Sequence, residues 1–153
     1  MLIKENTNYL KVDFNSEKEL ENIVENNYQH FFGETSIYLP QTKLRTRGEV
    51  GTIPDAIVVD VESKEWFIVE VELSEHGTWN HIAPQISKQI TSISNPNSIE
   101  VILSNLTNLI KDNEEHKSIF EELNIDSFDI RKTLEEILQT IPKVAIPIDS
   151  IPK

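Results

Sequence analysis

The polar and apolar positions along the chain alternate between a helical and an extended period. Ser16-Glu17-Lys18-Glu19, followed by Leu20, Ile23, Val24 and Phe31, reads as a capping box that opens an amphipathic helix ending near Gly33. Ile37 to Leu44 and Thr46 to Val50 have strand-like residues, with Pro40 marking an irregular or edge position. Arg45 and Arg47 alternate there and so share one face. Two runs, Ile53 to Val61 and Trp66 to Leu73, are separated by Glu62-Ser63-Lys64-Glu65, a length suited to a hairpin. From Asn80 the period becomes helical, with Ile82, Ile86, Ile90 and Ile93 on one stripe and Pro84 placed in the first turn, where a missing N–H is harmless. After the turn signal Asn95-Pro96-Asn97, the segment through Val101, Leu103, Leu106, Leu109 and Ile110 fits either a strand over 98–103 or a helix throughout. Two short helices are predicted around Lys117 to Leu123 and Phe128 to Thr140, then an edge strand over Val144 to Ile148.

With 153 residues, 38% of them apolar, the chain has the length and core material of one globular unit. It has no apolar run of about 18 residues, and MLIKENTNYL lacks the apolar block of a signal peptide, so the expectation is a cytoplasmic protein without a membrane partner. The absence of cysteine excludes disulfides, thiolate metal sites and thiol nucleophiles, leaving oxygen and imidazole as metal ligands. A net charge of -12 opposes any grip on nucleic acid by bulk charge, since phosphate binding rests on lysine and arginine. The surplus is concentrated: Glu49, Asp55, Asp60, Glu62, Glu65, Glu70, Glu72 and Glu75 face only Lys64 over the same span. Part of that charge suits a cation site.

Within the two extended runs the carboxylates are unusual. Glu70 and Glu72 point to one face of their strand, about 7 Å apart between Cα atoms, and share it with Trp66 and Ile68. Desolvated carboxylates at that separation repel unless a cation or a proton intervenes. Asp55 follows Pro54 at the start of the neighbouring strand. Magnesium takes one or two carboxylates, completing its shell with water and phosphate oxygens. Asp55 and Glu70 suit that requirement.

Pro54-Asp55, a hydrophobic strand, and Glu70-Val71-Glu72 in the next strand together resemble the signature of the PD-(D/E)XK nuclease superfamily. Ser16-Glu17-Lys18-Glu19-Leu20 is similar to the helix that opens the archaeal Holliday-junction resolvases of that superfamily, which places their additional active-site glutamate at Glu17. The likeness spans Ser16 to Ile93. It implies an α/β (α+β) domain with a central mixed β-sheet flanked by helices, an αβββαβ restriction endonuclease-like core, and a helical C-terminal insertion over residues without a counterpart. It further implies Mg²⁺-dependent hydrolysis of DNA, with Mn²⁺ as a substitute, in defence, restriction or repair. Asp55, Glu70 and Glu17 would hold metal. Arg45, Arg47 and Gln85 would touch substrate, and a homodimer or larger complex would add basic surface. Glu72 stands where the superfamily usually has lysine, and Lys88, on the following helix, is the candidate replacement.

Each residue also has a plainer reading. Glu70 and Glu72 fit a half-exposed edge strand with solvated carboxylates. Glu17 fits the favourable end of a helix dipole. Lys88 and Gln85 fit a solvent-facing strip with His81 and Ser92, while His76 and His81 are badly spaced for one metal and Trp79 suits packing. Two alternative functions therefore stand beside the nuclease: a catalytically inactive nuclease-fold interaction module, and an acidic protein that binds a basic partner.

Overall fold

The structure, a computed structural model, describes residues 2–4, 7–9, 13–42, 52–74, 78–93 and 95–150. Arg45, Arg47 and His76 lie outside the described residues, as do the side chains of Trp79 and His81. The fold is mixed α/β. Strands β1 (Leu2–Lys4) and β2 (Thr7–Tyr9) form a small antiparallel pair. The main sheet has β3 (Ser36–Pro40), β4 (Ala56–Asp60), β5 (Glu65–Val69) and β6 (Lys143–Ala145) side by side in that order. The first three run antiparallel, and β6 is parallel to β5.

Helices cover both faces of this sheet, which explains why β4 is an unbroken apolar run instead of an alternating one. Ile57 and Val59 point into a core shared with Ile68, Trp66 and the later helices, whereas Ala56 and Val58 point into a second core with Leu20 and Val24. The helices are α1 (Glu17–Asn26), α2 (Tyr28–Phe32), α3 (Thr78–Ile93), α4 (Pro96–Lys111), α5 (Glu114–Glu122) and α6 (Ile130–Leu138). A parallel neighbour cannot be reached by a hairpin, so the chain from β5 to β6 makes a crossover, and α3 to α6 lie within it.

Local chemistry sets the ends of these elements. Ser16 caps α1 by accepting the Glu19 N–H, but Glu19 reaches back to the N–H of Asn15 at 2.9 Å, one residue earlier than in the usual reciprocal box. The expected single helix to Gly33 divides at Asn27 into α1 and α2. Gly33 has φ +113, a conformation that favours glycine, and a Cβ there would sit a tight 3.3 Å from an Asp60 carboxylate oxygen. The ambiguous segment after Asn95 is helical throughout. Asn95 caps it, Pro96 takes the first turn, and Ile102, Leu103, Leu106 and Ile110 are buried at helical spacing. The second extended run is shorter than expected. It leaves the ladder with β4 after Val69, yet its edge toward the C-terminal segment stays paired: the N–H groups of Glu70 and Glu72 donate to the carbonyls of Ala145 and Pro147, both at 3.1 Å. Helix α3 begins at Thr78, so Pro84 lies inside it and leaves the carbonyl of Asn80 without its usual donor. Among the described residues no helix is long and apolar enough to cross a membrane.

Candidate active site

The pairing of β4 with β5 sets Ala56 against Val69 and Ile57 against Ile68. Asp55 and Glu70 are the residues immediately beyond the end of that ladder. Both residues therefore lie at the same end of the sheet. The backbone ties the pair together, because the N–H of Val71 donates to Asp55 Oδ2 at 2.8 Å.

Helix α3 closes over Glu70. Gln85 Nε2 donates to Glu70 Oε2 at 2.7 Å, and Gln89 Nε2 donates to Glu70 Oε1. Glu70 is 5% exposed and Gln89 is fully buried. Gln89 Oε1 has no hydrogen-bond partner among the described residues. Burial pushes the Glu70 carboxyl up to about 7, with the charges of Asp55 and Glu72 adding to the rise and the Gln89 amide opposing it. Burial also raises Asp55, helped by Glu21 and Glu17 and opposed by the Val71 N–H and by Lys18. These neighbours place the first turns of α1 beside the carboxylate pair, with Glu17 and Glu21 one helical turn apart.

The sequence-predicted residues thus separate into two groups. Asp55 and Glu72 both act on the carboxyl of Glu70, and Glu17 acts on that of Asp55. Gln85 is bonded to Glu70, where a substrate contact was expected. Lys88 is exposed, and among the described residues the α3 side chains that bond to Glu70 are the two glutamines. Gln89 and Glu21 are additional members of the site. The spacing of Gln85 and Gln89 by four residues was the available signal, obscured by the isoleucine stripe. The stripe does not define the buried face: Ile82 and Ile93 are buried, but Ile90 is 46% exposed, and Gln89 and Ser92 occupy the inner face instead.

Among the described residues no group of three or more histidine, aspartate or glutamate side chains gathers as a ready metal cage. The chain offers two carboxylates at one end of the sheet with raised proton affinity, a donor set that fits a hard divalent ion completed by water and substrate oxygens, since such an ion would relieve the repulsion between them. The chain matches no protein-family model, no curated protein and no solved structure.

Proposed function

We propose that the chain is a metal-dependent phosphodiester hydrolase acting on DNA, built on the PD-(D/E)XK plan. The observation that carries this reading is Asp55 and Glu70 together at one end of the sheet, both carboxyls raised mainly by burial, with Asp55 adding to the rise of Glu70 and Glu21 and Glu17 to that of Asp55. The order α1, β3, β4, β5, α3, β6, with β6 parallel to β5, agrees with the αβββαβ core of that superfamily, and α4 to α6 stand as the helical insertion before its last strand.

In this reading Asp55 and Glu70 would hold Mg²⁺, with Glu17 adding negative charge beside Asp55. When bound, the ion supplies Lewis-acid polarisation of the phosphate and a water of lowered pKa. The protein's own residues do the rest. Val71 N–H fixes one Asp55 oxygen, and the two glutamine amides orient Glu70. Glu72 is a buried carboxylate two residues beyond Glu70 and accepts the proton of the attacking water. Purified chain with Mg²⁺ or Mn²⁺ is expected to nick or cut DNA, and Asp55→Ala and Glu70→Ala each to lose roughly 100-fold or more of that rate. If both variants cut like the parent, the reading is wrong.

One observation favours the inactive interaction module: Glu72 replaces the usual lysine while Lys88 stays exposed. Calorimetry with Mn²⁺ separates the two. The hydrolase binds the ion through Asp55 and Glu70; the module shows no binding that these residues control.

A further inference from the structure

We propose that Asp149 is a positioning residue for Glu70 and Glu72: its carboxylate closes the pairing that fixes the backbone carrying both acids. Its effect on hydrolysis rests on the reading above, whereas its hold on the two acids does not.

Beyond Val69 the chain has left the ladder with β4, and its N–H groups find acceptors singly on two sides. On the side of the segment that follows β6, Glu70 donates to the carbonyl of Ala145 and Glu72 to that of Pro147, both at 3.1 Å. Pro147 has no N–H to return. The next acceptor in that alternation falls at residue 149, and there a side chain replaces the backbone: the Ser74 N–H donates to Asp149 Oδ1 at 2.7 Å. Asp149 Oδ2 accepts the Ser74 hydroxyl at 3.3 Å, and the Ser150 hydroxyl lies 2.6 Å from that of Ser74. Asp55 acts in the same way on the other side, where its Oδ2 accepts the Val71 N–H at 2.8 Å. Residues 70–74 are thus held between two carboxylates that take the place of backbone carbonyls.

Bonds from N–H to carboxylate are about twice as strong as those to a neutral carbonyl. The Ser74 N–H keeps the Asp149 carboxyl below its ordinary range, so it accepts as a carboxylate at neutral pH. Glu72, buried, lies between the Val71 and Ser74 anchors. Helix α3, whose Gln85 and Gln89 bond Glu70, begins soon after Ser74 at Thr78. Loss of the Asp149 bond therefore loosens both acids, Glu72 directly and Glu70 through α3.

Amide exchange and DNA cutting by the full chain test this together. In metal-free protein, Asp149→Ala should speed hydrogen exchange at the Glu72 and Ser74 amides roughly tenfold or more. It should shift the side-chain amide signals of Gln85 and Gln89, while the melting temperature moves by no more than about 4 °C, as for the loss of one half-buried bond. With Mg²⁺ its kcat should fall roughly tenfold at unchanged KM, the signature of a group misplaced in the transition state alone. Asp149→Asn keeps an oxygen for the Ser74 N–H and should hold exchange and kcat within about threefold of the parent. Exchange at Glu72 or glutamine signals that do not respond to Asp149→Ala overturn the proposal. So does an unchanged kcat in a parent that cuts, and so does an Asp149→Asn variant as impaired as Asp149→Ala. A parent that binds no ion and cuts nothing overturns the hydrolase reading instead, and the exchange rates and glutamine signals then still decide for or against the hold of Asp149 on the two acids.

Discussion

Glu70 is an acid that the folded chain keeps partly protonated near neutrality, its carboxyl raised from 4.5 to about 7 mainly by burial. In the unfolded chain it ionises at its ordinary value. Because the folded state holds the proton more tightly, this group's contribution to stability is complete below about pH 4.5 and is lost as pH rises through 7. Glu70→Gln keeps the shape and removes the ionisation, and either neighbouring glutamine can turn its amide to offer an acceptor. Metal-free Glu70→Gln is therefore expected to be more stable than the parent at pH 8 by about 2 kcal/mol, after allowance for water at the open side, and little changed at pH 5, as read from urea melts. Divalent ion should invert the comparison. Saturating Mn²⁺ should raise the melting temperature of the parent and leave that of Glu70→Gln in place, because only the carboxylate binds. His116 supplies the opposite pH signature. It is buried, its Nδ1 has no partner among the described residues, and burial lowers its ring below the ordinary 6.5. Its contribution is present above that value and is lost as pH falls, so His116→Gln should flatten the acid side of the stability profile.

Between elements, the side chain of Trp66 links β5 to the end of α6. The indole is 1% exposed, and its Nε1–H donates to the Thr140 carbonyl at 2.9 Å. Trp66→Phe loses that bond, leaves the carbonyl without its donor and opens a small void, for an expected loss of about 2 kcal/mol in a denaturant melt with the fold retained. The strands that carry this packing were legible because Val, Ile, Trp and Phe at these positions leave little choice of conformation, and the hairpin acids Glu62 and Glu65 bound them. The register that brings Asp55 and Glu70 to one end of the ladder was not legible: a connection over Glu62 to Glu65 would set Val61 against Trp66 and so Asp55 against Glu72, whereas the ladder pairs Asp60 with Glu65 and is shifted by two residues. Helix α3 was legible as a helix but not in its orientation. Its inner face is chosen by hydrogen bonds from Gln85 and Gln89 to a buried carboxylate, and periodicity of isoleucines cannot report a tertiary polar contact. The segment after Asn95 was open because a strand and a helix bury the same short apolar run equally well, and Asn95 as cap with Pro96 behind it decides between them.

For the whole molecule, a net charge of -12 means that long-range attraction to a polyanion is unfavourable until cations intervene. The candidate site deepens this, because Glu17 and Glu21 of α1 add to the negative field around Asp55. A hydrolase of this charge must use its divalent ion for binding as well as for chemistry, bridging carboxylate and phosphate oxygens where lysines and arginines would otherwise serve. Binding of a short duplex should then be undetectable in EDTA and should strengthen roughly tenfold or more in millimolar Ca²⁺, a hard cation that takes the same oxygen ligands. The salt dependence carries the sharper test. If Arg45 and Arg47 are the main phosphate contacts, the plot of log affinity against log salt should have a slope near -2, because each neutralised phosphate contributes about -0.9. Arg45→Ala should reduce the slope by about one and weaken all sequences alike. A slope several times steeper would require a broad basic surface that 14 basic residues among 26 acidic ones cannot provide from one chain, and would turn the search toward a complex in which another subunit grips the DNA.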